Sequence, residues 1–260
     1  MAFMPENAPL VVLSFLGTCF LVGVGLVCLI VAVISRWPKV FRAALAATAG
    51  VVVLYSTALL LFSWTSRDQV LALGQPKYFC EIDCHLAYIL EEVKSVESLG
   101  TPPEQLLPAG RLYVAKLKVW FDERTISPRR GNGPLNPGPR WVAVVDEYGR
   151  NYEPSATGMR ALQQCMGPVV PMTQPLRPGE SFTTYLVFEL PKEIKNPRLL
   201  ITDRDPIAHF LINHEESFFH KKIFFQLSRV DAPSTALLGP LPTPCRCGRG
   251  PESLAAAAGF

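Results

Sequence analysis

The chain has 260 residues, with 25 Lys and Arg against 22 Asp and Glu and a formal net charge of +3. So mild a charge argues against nucleic-acid binding, and the length admits one or two domains. Apolar residues make up 49% of the chain, but they are spread unevenly, and that unevenness sets the architecture.

Residues 1–9 form a short N-terminal segment whose one charged residue is Glu6. From Leu10 to Ile34 there are 25 residues without a charge. As a helix they extend roughly 38 Å, more than the ~30 Å hydrocarbon core of a bilayer requires. A cleaved signal peptide would carry a basic start and a shorter apolar stretch, so the run is expected to persist as a membrane span. A second uncharged run covers Ala43 to Trp64. Together, residues 10–64 read as a transmembrane hairpin, with helices at 10–34 and 43–64.

The connecting loop, Ser35 to Arg42, holds Arg36, Lys39 and Arg42. Short loops rich in Lys and Arg stay in the cytoplasm. Both ends of the hairpin are then extracytoplasmic, and the anchor lies in the cytoplasmic (inner) membrane. Trp37 and Trp64 suit its two interfaces. Small residues at Gly17, Gly23, Gly25, Ala43, Ala46, Ala47 and Gly50 would let the helices approach closely. Neither span contains Asp, Glu, Lys, Arg or His, which leaves an ion pathway through them unsupported.

Beyond the spans the apolar period becomes two, from about Lys77 to Arg229. "FCEIDCHLAY" begins this region with alternating residues and reads as one half-buried strand. On a straight strand Cys80 and Cys84 lie roughly 13 Å apart, too far to bridge each other. Either could pair instead with Cys165, Cys245 or Cys247. "RLYVAKLKVWF" puts Tyr113, Ala115, Leu117, Val119 and Phe121 on one face, and Lys116 and Lys118 on the other. Further strand signals lie at Arg140–Glu147, Ser181–Leu190, Pro197–Asp203 and Lys221–Leu227. A short helix is suggested at Thr157–Cys165. Short strands punctuated by Pro and Gly predict an all-β antiparallel sandwich at 77–229. The tail, 230–260, is rich in Pro, Gly and Ala and is expected to be disordered.

Three features invite a functional reading. The loop from Asp122 to Arg140 carries Arg124, Arg129, Arg130 and Arg140 among four prolines and three glycines. Arginines so placed are candidates for gripping a partner's carboxylates or an anion. The stretch "HFLINHEESFFH" contains His209, His214 and His220, at spacings outside the usual zinc patterns. Cys80, Cys84 and His85 are candidate metal ligands, since thiolate and imidazole suit copper.

Two resemblances bear on these features. The turns at Asp146, Gly149 and Tyr152, then Pro178, Gly179, Glu180 and Ser181, with a strand ending at Pro191, resemble an immunoglobulin-like domain found in uncharacterised bacterial membrane-anchored or secreted proteins. The likeness covers Tyr78 to Leu227, and it implies a fold without catalytic residues. A two-helix hairpin, a β domain and a Cys-x-x-x-Cys spacing also resemble subunit II of haem-copper oxidases, which binds a dinuclear copper. Here, however, the Cys pair opens the domain, Tyr88 stands four residues after Cys84, and no histidine precedes Cys80.

The reading that follows is a non-enzymatic, membrane-anchored binding or accessory protein without a cofactor. It presents an immunoglobulin-like domain to a protein partner, in a larger membrane complex if one exists, and does not engage nucleic acid. The alternative is an extracytoplasmic metal-binding or redox protein with a copper-type site at Cys80 and Cys84.

Overall fold

A computed structural model describes residues 8–81, 84–100, 106–127, 129–203 and 205–227. The expected disordered tail at 230–260 and residues 1–7 of the N-terminal segment lie outside them.

Two long helices come first, α1 (Ala8–Ile34) and α2 (Pro38–Thr65). Both are long and apolar enough to cross a membrane, by length and composition. Their connection is shorter than the loop expected at Ser35–Arg42. Arg36 takes a left-handed φ of 54°, and Trp37 N–H bonds Ala32 O at 2.9 Å, closing α1. Pro38 then starts α2 at a position where a missing N–H has no consequence. Lys39 and Arg42 therefore belong to the first turns of α2. At Gly25 a Cβ would fall 2.0 Å from Thr48 Oγ1, so the helices touch there. Gly17, Gly23 and Gly50 have open space around them.

The rest is a β-sandwich of two sheets. Its strands are β1 (Gln69–Leu71), β2 (Pro76–Glu81), β3 (Cys84–Val96), β4 (Arg111–Asp122), β5 (Trp141–Val145), β6 (Asn151–Tyr152), β7 (Ser181–Leu190), β8 (Arg198–Thr202) and β9 (Ile223–Gln226). One sheet has the order β2-β3-β4-β7, the other β1-β9-β8-β5-β6. All pairings are antiparallel except β1 with β9, which is parallel. The expected sandwich was wholly antiparallel and began near Lys77. β1 adds a parallel edge and takes the sheet pairing back to Gln69.

The core lies between the sheets. Leu86, Tyr88, Leu117 and Phe188 of the first meet Val144, Leu199, Ile201 and Phe225 of the second. Ala115, Leu117, Val119 and Phe121 lie in this core, with Tyr113 packed against it, as the alternation of β4 predicts. On the opposite face, Leu112 and Val114 are buried in a second cluster with Val187 and with Ala161 and Leu162 of α3 (Ala156–Met166). Ser155 caps α3 by accepting from Gly158 N–H at 3.1 Å.

The opening stretch differs from its sequence reading. β2 ends at Glu81 and β3 starts at Cys84, with Glu81 opposite Cys84 and Cys80 opposite His85. The chain reverses between the cysteines, so the single straight strand is replaced by a hairpin. Phe79 pairs with Leu86 and both lie in the core. The inward-facing set thus shifts from odd positions in β2 to even positions in β3, where the alternation read from sequence keeps even positions inward throughout. The side chains of Cys80, Cys84 and His85 lie outside what is described.

The turn after β5 follows from its sequence. Asp146 is fully buried. Its Oδ1 accepts from the N–H groups of Tyr148 and Arg150, and its Oδ2 from Arg150 Nε and Tyr152 O–H. Gly149 takes φ 80°, a conformation that disfavours any residue with a Cβ.

Candidate functional site

The four arginines of the Asp122–Arg140 loop take separate partners. Arg124 forms a fork with the buried Asp122, Nε to Oδ1 at 2.9 Å and Nη2 to Oδ2 at 2.7 Å. Its guanidinium also lies 5.3 Å over the Trp120 ring. Arg130 lies over Phe121 at 4.9 Å and donates to Gly133 O at 2.8 Å. Arg129 is exposed, and its backbone N–H bonds Ser127 Oγ. Arg140 points inward with its side chain 2% exposed, donating to Asp203 Oδ2 at 2.8 Å. It lies 4.6 Å over the Phe79 ring. Arg124, Arg130 and Arg140 thus each satisfy local acceptors and aromatic rings.

Arg140 leads to the densest group of buried charges. Lys77 also stands over Phe79, at 5.3 Å. Its side chain is 2% exposed. Nζ donates to Ile201 O at 2.6 Å, Glu215 Oε1 at 2.7 Å and Ile223 O at 2.9 Å. Three acceptors fill the three donors of an ammonium. Burial pushes the Lys77 pKa down, and the Glu215 carboxylate opposes this. Glu215 Oε1 accepts in addition from Ile223 N–H at 3.0 Å.

Glu216 is buried beside this pair. One of its oxygens accepts from Thr202 Oγ1, the other from Lys222 Nζ at 2.9 Å. Lys222 Nζ also reaches Glu215 O at 2.9 Å. The histidines belong to the same segment. His214 Nδ1 accepts from Glu216 N–H at 3.0 Å, which places its proton on Nε2. His209 Nδ1 faces Glu216 O. A carbonyl only accepts, so that ring holds its proton on Nδ1. Burial lowers the His214 pKa below the ordinary 6.5, and Glu215, Glu216 and Asp203 offset this in part.

Chemically, this arrangement is a latch. A nucleophilic lysine needs a free lone pair, whereas Lys77 spends all three N–H bonds. The cluster ties β2, the end of β8 and the start of β9 to the segment 205–222. Among the described residues, no group of three or more His, Cys, Asp or Glu is placed to hold a metal ion. Cys165 is disulfide-bonded, and the free thiols among the described residues are Cys19 and Cys28 in α1.

Sequence reasoning singled out Arg140, His209 and His214 but missed Lys77, Glu215, Glu216, Thr202 and Lys222. Lys77 and Glu215 are 138 residues apart, and neither has a local motif. The available signal was a lysine at the start of an apolar strand facing two adjacent acids near the last strand.

The same segment meets α2. Tyr55 O–H donates to Phe210 O at 2.7 Å, Lys221 N–H to Ser66 Oγ at 2.9 Å and Lys222 N–H to Asp68 Oδ1 at 3.1 Å.

Comparison with known proteins gives likeness in fold alone. No family model matches the chain, and no curated protein matches it. A conserved hypothetical protein from Bacillus anthracis is similar at 15% identity and TM-score 0.39, over 52% of this chain and 91% of its own. A secreted protein from Mycobacterium tuberculosis, MPT63, is similar at 14% identity and TM-score 0.37, over 62% and 97%. An uncharacterised β-sandwich protein from Clostridium difficile is similar at 11% identity and TM-score 0.35, over 63% and 96%.

Proposed function

We propose that the chain is a non-enzymatic, membrane-anchored binding or accessory protein. It displays an immunoglobulin-like sandwich to a protein partner on the extracytoplasmic side of the cytoplasmic membrane. The observation that carries this reading is the mount. α2 ends at Thr65 and β1 begins at Gln69, so residues 66–68 are the whole link. Ser66 and Asp68 within it accept from Lys221 and Lys222, and β1 is itself hydrogen-bonded into the sheet. A domain that only needed tethering would do with a flexible polar linker. This one is clamped to its helix, which suits presentation of a surface in a fixed pose. Arg36, Lys39 and Arg42 at the α1–α2 turn favour a cytoplasmic turn and an outward sandwich.

Strand order supports the immunoglobulin-like assignment. β9-β8-β5-β6 follows the G-F-C-C′ order, and β4-β7 the B-E pairing. The β2–β3 hairpin occupies the place beside β4 that a first strand holds in such domains. A partner would find Tyr148 on the β5–β6 turn. It is 77% exposed, with the Arg150 guanidinium 5.2 Å over its ring, and Tyr and Arg are enriched in binding hot spots.

Pulsed electron resonance on the full chain in lipid nanodiscs tests the mount, with nitroxides on ketone amino acids at Lys39 and Tyr148. One narrow distance is expected, broadening when a Gly-Ser linker is inserted between Ser66 and Arg67. A distribution equally broad without the linker overturns the rigid mount. For the partner, a benzophenone side chain at Tyr148 in native membranes should yield a discrete cross-linked protein. Absence of any protein adduct there contradicts docking at this turn.

A further inference from the structure

The segment 205–219 combines features that a soluble surface loop does not need. Ile207, Phe210, Phe218 and Phe219 are exposed, Phe219 by 82%. Phe219 also has φ 63°, a left-handed conformation that is unfavourable for a bulky side chain. A strained and exposed phenylalanine contributes little to folding in water, so its use lies in contact with something apolar.

Part of the segment's backbone is satisfied within the protein. Ala208, Leu211, His214, Ser217 and His220 N–H each bond the carbonyl three residues earlier, at 2.9–3.2 Å. Asp205 Oδ1 takes Ile207 N–H at 2.9 Å, and Ser217 O–H bonds Leu211 O. Phe210 O is taken by Tyr55 O–H of α2. Backbone that enters hydrocarbon must have its polar groups satisfied within the protein, and these bonds meet that requirement in part.

Its position fits as well. Tyr55 lies ten residues before the end of α2 at Thr65, about 15 Å back along the helix axis. The segment therefore runs down beside the outer turns of an apolar helix. Tyr55 shares a helical stripe with Leu59 and Ser63, the buried residues of α2.

We infer that 206–219 is a third membrane element, a loop that dips Ile207, Phe210, Phe218 and Phe219 into the outer leaflet alongside α2. The occupant of this apolar surface is the acyl region of the bilayer. The inference rests on the reading of α1 and α2 as membrane spans. The buried latch of Lys77, Glu215 and Glu216 holds the loop at the height this requires. The exposed Lys221 follows directly, where lipid headgroups would lie.

The test uses the full chain in nanodiscs of phosphatidylethanolamine and phosphatidylglycerol. p-Benzoylphenylalanine replaces Phe219, Leu54 or Tyr148 in turn, and mass spectrometry follows irradiation. All three positions are exposed, so folding should survive each change. Lipid adducts are expected at 54 and 219, and none at 148. Lipid at 54 without lipid at 219 overturns the inference and leaves the anchor intact. An adduct to protein at 219 in place of lipid also overturns it, by naming a different occupant. Absence of lipid at 54 removes the membrane anchor itself, and this inference falls with it.

Discussion

Lys77 and Glu215 meet at 2.7 Å with side chains only 2% and 13% exposed. They join the second strand of the sandwich to the segment before the last. Breaking a buried pair strands a charge, whereas removing both partners does not. Lys77→Met should therefore cost about 3–5 kcal/mol. Lys77→Met with Glu215→Leu should cost less than Lys77→Met alone, even though Ile223 N–H loses its acceptor. Urea denaturation of the detergent-solubilised chain compares the two. A double variant less stable than the single would remove the pair from this role.

His214 makes the latch sensitive to pH. Its folded-state pKa lies below the ordinary 6.5 because burial disfavours the imidazolium. Protonation would also oblige Nδ1 to give up the N–H it accepts from Glu216. The unfolded chain thus binds this proton more readily than the folded one. The His214 contribution to stability is full above pH 6.5 and declines as the pH falls below it. Glu215, Glu216, Asp203 and Lys222 surround the ring, and the carboxylates moderate the effect. His214→Asn keeps an acceptor that does not titrate. It should lose less stability than the wild type between pH 7 and pH 5, measured by urea midpoints. Equal losses would show that the ring does not titrate as described.

Gly149 is the residue the Asp146 turn depends on for its shape. Its φ of 80° makes Gly149→Ala cost about 1 kcal/mol. Gly133→Ala, with nothing within 4 Å of the added methyl, should change little. Thermal melts of both variants decide the point, and equal shifts would contradict it. Asp146 belongs to the same corner. Burial pushes its pKa up, but hydrogen bonds from Arg150 and Tyr148 more than reverse this and leave it below the ordinary aspartate value.

The sandwich was legible where its signals were local. Alternation predicted the inward face of β4, and the Pro-Gly turn before β7 holds Gly179 at φ 82°. α3 occupies Ala156–Met166, close to the predicted Thr157–Cys165. Three things were not legible. β1 is three residues long, and pairing across 154 residues of sequence leaves no periodic trace. The reversal between Glu81 and Cys84 was hidden because Cys80 and Cys84 extend the even-numbered apolar pattern of Leu86 and Tyr88, although Phe79 is the residue that β2 places in the core. The latch was hidden because a buried lysine declares itself only through partners brought together by the fold. By contrast, the arginine-rich loop stood out in sequence, and the structure pairs Arg124 with Asp122, Arg130 with Gly133 and Arg140 with Asp203.

The central claim is that the helices anchor a sandwich displayed outside the cytoplasmic membrane, and the side on which Asn132 and Gly133 lie tests it most directly. Both are exposed in the loop before β5, so a tobacco etch virus protease site can be inserted between them. Protease added to intact bacterial spheroplasts expressing the full chain should cleave it, releasing no fragment that carries α1. Complete protection until the spheroplasts are lysed would place the sandwich in the cytoplasm and contradict the account.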